Sequence, residues 1–252
     1  MDKFQNPQLD GSPFFLEGGP VGVLLIHGFT ATTAEIRLLS NLLHTRGYTI
    51  AAPLLPGHNS QWQDLNKVHW QNWVAEVEKS YRTLCSTCQH VFVGGESTGG
   101  LLALYLACEH SEIAGILAYA AALRLAISRF DHLRLRLLSP FIPYAPKGNI
   151  DLETSWSGYM VNPLKGAVQL LDLQKVVARR LQEIRQPLLV VQGRLDTTVH
   201  PDVPAELMRG VRSEIKEVHW MEKSTHVVVM DQELDEVAAI TLRFMQRALG
   251  AA

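Results

Sequence analysis

Residues 90–100 read His-Val-Phe-Val-Gly-Gly-Glu-Ser-Thr-Gly-Gly, and this stretch decides the fold. An apolar run ends at Gly94, and an unusually apolar helical stretch, 98–109, begins at once. Between them Gly95-Glu96-Ser97-Thr98-Gly99 matches G-x-S-x-G. Glycine and serine are common, so the pattern alone is weak. Set between a strand and a helix, it reads as a nucleophile elbow. Such a turn brings flanking positions against neighbouring backbone, so glycine is needed there. It also sets the serine hydroxyl at a helix N-terminus, whose free N–H groups favour developing negative charge. The bland alternative is a glycine-rich turn with an incidental serine.

Outward from the elbow, strands and helices alternate. Strand patterns cover 14–17 (an edge), 21–27, 48–53, 90–94, 113–120, 187–192 and 214–220. Helical patterns cover 70–84, 98–109, 163–181, 203–209 and 234–249. One more opens at Thr32-Thr33-Ala34-Glu35, which has capping-box spacing, and stops at Gly47. This alternation predicts an α/β fold with a mostly parallel sheet covered on both faces. It breaks over 122–162, where Arg-rich helical patches and Pro140, Pro143 and Pro146 mark an insertion. The expected organisation is a core of 1–121 and 163–252 with a cap of 122–162. Leu125, Ile127, Phe130, Leu133, Leu137 and Leu138 are interleaved there with Arg124, Arg129, Arg134 and Arg136. The apolar set is expected to wall a pocket for an acyl chain. The arginines read either as a solvated face or as a basic rim that touches anionic lipid surfaces weakly.

A serine hydroxyl needs a base to become a nucleophile. The base and its acid partner should follow in the order Ser, Asp, His. Of 10 histidines, His226 lies in the short loop after the last strand, at the edge of the sheet where Ser97 stands. His219 lies within that strand and reads as structural, and His200 is a rival beside the acid loop. Asp196 is the first carboxylate past strand 187–192 and would fix the imidazole tautomer. Asp202 is the alternative, but it stands where a helix N-cap is needed. An oxyanion would take its N–H donors from Thr98 and from the loop His27-Gly28-Phe29-Thr30, with Phe29 preferred. His27 is expected only to tie that loop down. Glu96 either raises the basicity of His226 or faces away into a polar contact.

Composition narrows the classes. Of 252 residues, 47% are apolar and 19% charged, which excludes a disordered chain. The 23 Lys and Arg against 25 Asp and Glu leave a net charge of −2. No global positive field exists to hold nucleic acid. Three cysteines are no disulfide framework, and the lone Cys85-x-x-Cys88 reads as two thiols near a helix end. Residues 1–19 lack a basic segment followed by a long apolar one, so no secretory leader is expected. The apolar window 91–108 carries Glu96 and four glycines and reads as strand, turn and helix rather than a membrane span. These features point to a cytoplasmic protein.

The HGFT loop (27–30), the GESTGG elbow (95–100), the GRLDTTVHP acid loop (193–201) and the STHVVVMD histidine loop (224–231) resemble those of one family. It is the bacterial carboxylesterase and monoacylglycerol lipase branch of the α/β-hydrolase superfamily. The resemblance runs from about Pro13 to Leu249. It implies the α/β-hydrolase fold with a small helical cap, a Ser97–Asp196–His226 triad, and an oxyanion hole at Phe29 and Thr98. It also implies hydrolysis of carboxylic esters without metal or organic cofactor. The sequence departs from many relatives at Glu96 and at Asn59. The expected activity is a serine carboxylesterase acting on small-molecule esters of short to medium acyl chains. Alternatives are a monoacylglycerol lipase, a thioesterase or acyltransferase, and, from a different class, a non-catalytic binding protein on the same fold.

Overall fold

The elbow stretch forms a strand that runs directly into a helix, and the other elements are laid beside it. The computed structural model describes residues 4–147 and 156–250. In chain order the elements are β1 (Phe4–Gln5), β2 (Phe14–Leu16), β3 (Val21–Ile26), α1 (Ala34–His44), β4 (Thr49–Ala52), α2 (Trp62–Leu65), α3 (Trp70–Thr87), β5 (His90–Glu96), α4 (Thr98–Glu109) and β6 (Gly115–Tyr119). Then follow α5 (Arg129–Leu138), β7 (Tyr144–Pro146), β8 (Gly158–Tyr159), β9 (Val161–Pro163), α6 (Leu164–Arg180), β10 (Leu188–Gly193), α7 (Val203–Gly210), β11 (Lys216–Met221) and α8 (Leu234–Gly250). Seven strands make one sheet in the order β11-β10-β6-β5-β3-β4-β2. Every neighbouring pair in it is parallel except the edge pair β2–β4.

The period of two along β3 builds both halves of the core. Leu24 and Ile26 join Trp73, Val77 and Leu102 on one face. Val23 and Leu25 join Ile36, Leu39 and Phe244 on the other. Each fully buried Leu or Ile contributes about 1.5–3 kcal/mol. α4 packs against β5, β6, β3 and α6, which explains its continuous apolar surface.

Glycine is required where β3 meets the elbow. A Cβ on Gly95 would lie 2.2 Å from the Ile26 carbonyl oxygen, and one on Gly99 2.0 Å from the same atom. Ile26 pairs with Gly95 in the β3–β5 register, so the end of β3 lies against the elbow.

The segment between β6 and α6 is stitched to the core. β8 pairs with β1, and Ala31 bridges to Gly158. α5 is capped by Ser128, whose Oγ accepts from Asp131 N at 3.1 Å, and it buries no side chain. Phe130, Leu137 and Leu133 are 78%, 62% and 54% exposed. The α5 part of the apolar set expected to wall the pocket therefore faces outward. Of the 122–162 insertion, 148–155 lie outside the described residues.

Two expected caps also differ. Thr33 is the N-cap of α1 without a side-chain bond, and Glu35 does not reach back to form a capping box. Buried donors elsewhere, Gly28 N–H and the Trp156 indole, take its carboxylate instead. Asp202 occupies the N-cap position of α7 but makes no capping bond; its carboxylate pairs with Arg124 at 3.3 Å. Cys85 and Cys88 are free thiols at the end of α3. Among the described residues no helix is long and apolar enough to cross a membrane.

The elbow contact sets a stability test. Gly99→Ala should cost about 3 kcal/mol by overpacking. Gly250→Ala, with open space around it, should change stability by less than about 1 kcal/mol. Urea denaturation checks both.

Candidate active site

Ser97 stands between β5 and α4 with φ 54° and ψ −108°, a conformation that costs a non-glycine residue about 1–3 kcal/mol. Ser97 N donates to Tyr119 O at 2.9 Å, and Ala122 N to Ser97 O at 2.9 Å, and these bonds hold the turn. His226 comes from the loop between β11 and α8. Its Nε2 is 3.0 Å from Ser97 Oγ, and its Nδ1 is 2.9 Å from Asp196 Oδ2. An imidazole with its proton on Nδ1 donates to Asp196 and accepts from the serine. The Asp196 side chain is 1% exposed. Its Oδ1 accepts from Thr198 N at 2.7 Å and Val199 N at 3.1 Å, and Gln192 Nε2 donates to Oδ2 at 2.6 Å. Burial works to raise this carboxyl, but the bond and charge of His226 and the two backbone N–H groups outweigh it. The group is held below the ordinary aspartate value. A hydroxyl, imidazole and carboxylate linked in this way can move a proton off the serine as it attacks an electrophile. Of the rivals, His200 accepts from Asp202 N at 3.3 Å, and His219 contacts Glu217 at 2.8 Å.

The loop after β3 closes the other side of the serine. A Cβ on Gly28 would be 3.4 Å from Ser97 Cβ. His27 Nδ1 donates to Gly28 O at 2.8 Å, and its Nε2 accepts from Leu55 N at 3.1 Å. Burial pushes this imidazole down to about 4, so it stays neutral and serves as a tie. Its ring packs on His58 at 4.9 Å, and burial likewise pushes His58 well below the ordinary histidine value. Phe29 lines the cavity, and Thr98 opens α4 directly after the serine.

The cavity above Ser97 and His226 measures about 460 Å³. Leu125, Leu170, Val227 and Met230 supply apolar wall. Leu125 is the one residue of the expected acyl wall among the lining side chains; Ile127, Phe130, Leu133, Leu137 and Leu138 are not. A polar cluster that sequence patterns did not reveal also faces the cavity: Thr30, Glu35, Lys147 and Trp156. Glu35 accepts from Gly28 N at 2.5 Å and from Trp156 Nε1 at 2.9 Å. Lys147 Nζ donates to Thr30 Oγ1 and sits 4.2 Å from the Trp156 ring centroid. Burial pushes the Lys147 amine down to about 7, opposed by the charge of Glu35. Glu35 looked like a capping residue, and Lys147 and Trp156 lie in an irregular insertion with no period to read.

Glu96 follows neither sequence expectation. It pairs in register with Tyr119, and the carboxyl is fully buried. Neither oxygen has a hydrogen-bond partner of sound geometry among the described residues. Burial, then the charges of Glu35 and Asp196, push it well above the ordinary glutamate value. A neutral acid there adds no charge to His226. Among the described residues no cluster of His, Cys, Asp or Glu is arranged to hold a metal ion.

A buried acid with a raised folded value is protonated in the native state where the unfolded chain has already lost its proton. The contribution of Glu96 to stability therefore falls as pH rises above about 4.5 toward the folded value. Glu96→Met removes that loss. Its stability relative to wild type should grow as pH rises above about 4.5, measured as thermal midpoints across a pH series.

The sequence model of the alpha/beta hydrolase family matches residues 23–240. A thermostable monoacylglycerol lipase of Bacillus sp. (strain H-257) is 32% identical over 247 residues, covering 98% of this chain and 99% of the relative. A carboxylesterase of Bacillus subtilis (strain 168) is 28% identical over 237 residues, covering 93% and 96%. Among solved structures, a metagenome-derived lipolytic enzyme, from work on the pair LipS and LipT, superposes with a TM-score of 0.89 at 29% identity. That match covers 95% of this chain and 99% of the other.

Proposed function

The chain belongs to the alpha/beta hydrolase family, and we propose that Ser97, Asp196 and His226 are its catalytic triad. The protein is a serine hydrolase acting on carboxylic ester bonds. What supports the assignment of residues is the unbroken hydrogen-bonded chain from Ser97 Oγ through His226 to the buried Asp196.

In this mechanism Ser97 Oγ attacks the ester carbonyl carbon while His226 Nε2 takes the hydroxyl proton. Asp196 keeps the imidazole oriented and stabilises its cation. The N–H groups of Phe29 and Thr98 bind the oxyanion, a role worth about 3–4 kcal/mol per donor. Protonated His226 then gives its proton to the departing alcohol, leaving an acyl-Ser97. Water, deprotonated by His226, cleaves the acyl-enzyme and restores the hydroxyl. The chain's own residues supply each of these groups.

The cavity of about 460 Å³ suits short to medium acyl chains. One observation favours lipid esters as a second reading. The 122–162 segment serves as the cap, and its α5 turns Phe130, Leu133 and Leu137 outward beside Arg129 and Arg134. An apolar and basic face of this kind suits weak docking on anionic lipid surfaces that present ester substrates. Free Cys85, Cys88 and Cys108 fit a reducing compartment such as the cytoplasm.

Ser97→Ala should abolish ester turnover and fluorophosphonate labelling and leave the fold intact. Asp196→Asn should lose about 10⁴ in kcat, while Asp202→Asn should stay near wild type, because Asp202 faces Arg124 and His200 rather than His226. Substantial turnover by pure Ser97→Ala, or the reverse ordering of the acids, overturns the assignment. Rates on p-nitrophenyl esters from C2 to C12, set against monoacylglycerols and acyl-CoA, assign the substrate class. The docking face is tested with Phe130→Ser/Leu137→Ser. This variant should lose cosedimentation with anionic vesicles and keep its rate on acetate esters.

A further inference from the structure

We propose that Glu35 is a positioning residue through which the cap holds the oxyanion loop, its carboxylate joining the Gly28 N–H to the Trp156 indole. The inference rests on the esterase reading, because the loop's exact pose matters only if Phe29 N–H receives an oxyanion.

The peptide that carries Phe29 N–H is the one whose carbonyl belongs to Gly28. A planar trans peptide points those two groups in opposite directions. His27 Nδ1 donates to that carbonyl at 2.8 Å, which aims the N–H away from His27. Gly28 has no side chain to limit its own rotation, so its preceding peptide needs a separate anchor. Glu35 supplies it with the 2.5 Å bond from Gly28 N. With both peptides pinned, the backbone of Gly28 has one conformation left.

The other Glu35 oxygen takes the Trp156 indole N–H at 2.9 Å. Trp156 belongs to the cap, so the anchor is itself held from the cap side. The grip continues along the loop. Thr30 sits at φ 65°, a left-handed conformation that a β-branched residue rarely adopts. Its Oγ1 donates to Phe29 O at 2.5 Å and accepts from Lys147 Nζ, and its carbonyl accepts from Tyr159 N at 2.8 Å. Lys147 and Tyr159 are again cap residues. The loop is thus seized at Gly28 and at Thr30, on either side of Phe29.

A bare carboxylate so close to an oxyanion would oppose it. Burial pushes the Glu35 carboxyl above the ordinary glutamate value, and the Gly28 N–H, the Trp156 indole and the charges of His226 and Lys147 act against that. A purely structural filler here would more simply be apolar, since burying a carboxylate costs more than burying a hydrocarbon.

Two near-isosteric variants test this. Glu35→Gln offers one oxygen to two donors, and Trp156→Phe keeps a ring but loses the indole N–H. The assays are kcat and KM on p-nitrophenyl butyrate, thermal midpoints, and inhibition by an alkylboronic acid, which forms a tetrahedral anion on Ser97. Each variant should lose about tenfold to a hundredfold in kcat, with KM within about twofold. Boronate affinity should fall by the same factor, because both read the oxyanion site. The double variant should be no worse than Glu35→Gln alone, since the indole acts through the carboxylate. Unchanged kcat and boronate affinity, or losses confined to KM or to the thermal midpoint, overturn the proposal. If Glu35→Gln does not fold, Trp156→Phe decides alone. Wild type that neither binds boronate nor takes a fluorophosphonate label on Ser97 would sink the esterase reading itself. Inhibited wild type with unaffected variants sinks only the role of Glu35.

Discussion

The carbonyl oxygen of Ile26 occupies the space that a side chain at residue 95 or 99 would need. That contact follows from the β3–β5 register, in which Ile26 lies opposite Gly95. It has two consequences. The elbow must be built from glycines, which lets Ser97 take its positive φ. The chain leaving β3 must then pass close to the serine, so the loop from His27 to Thr30 is set beside Ser97 by sheet geometry. Ser97 and the loop after β3 are neighbours because two parallel strands are neighbours. His226 and Asp196 reach the same edge because β10 and β11 end there too.

Polar groups buried beneath this edge are treated in two ways. His27 and His58 are neutral; His27 spends both ring nitrogens on backbone groups and His58 its Nδ1, so they act as fixed ties. Asp196 keeps its charge because His226 and two backbone N–H groups face it. For Glu96 a bond from the Val229 backbone is outweighed by burial and by the charges of Glu35 and Asp196, which push it well above the ordinary glutamate value. The contrast between Asp196 and Glu96 shows that donors within reach, rather than depth alone, decide whether a buried carboxyl stays ionised.

The sheet, its helices and the Ser97, Asp196 and His226 positions were legible in the sequence because each depends on local chemistry. An apolar run, a glycine turn and the first carboxylate or histidine past a strand can all be read from neighbours in the chain. Element ends shifted by up to about three residues: β5 continues through Glu96 rather than stopping at Gly94, and α3 runs to Thr87 rather than 84. Glu35, Lys147 and Trp156 were not legible. Their partners are distant in sequence, 121 residues apart for Glu35 and Trp156. Thr32 to Glu35 even carried a misleading local signal, since capping-box spacing says nothing about a buried donor waiting elsewhere.

α5 shows the same limit from the other side. Its apolar spacing announced a face but could not say what covers it. The helix buries none of its own side chains, and Arg136 ties it to Asp172 on α6 at 2.5 Å. A partly exposed ion pair of this sort contributes about 1 kcal/mol or less. Phe130, Leu133 and Leu137 meanwhile leave apolar area unburied. Covering that stripe would gain more than the tether contributes, at about 25 cal/mol for each Å² removed from water. The other side of the segment between β6 and α6 is the reverse: Lys147 bonds to Thr30, and Trp156 through Glu35 to Gly28, in the loop after β3. A segment that is polar where it meets the loop after β3 and apolar where it faces outward can change its outer contacts without loosening the inner ones.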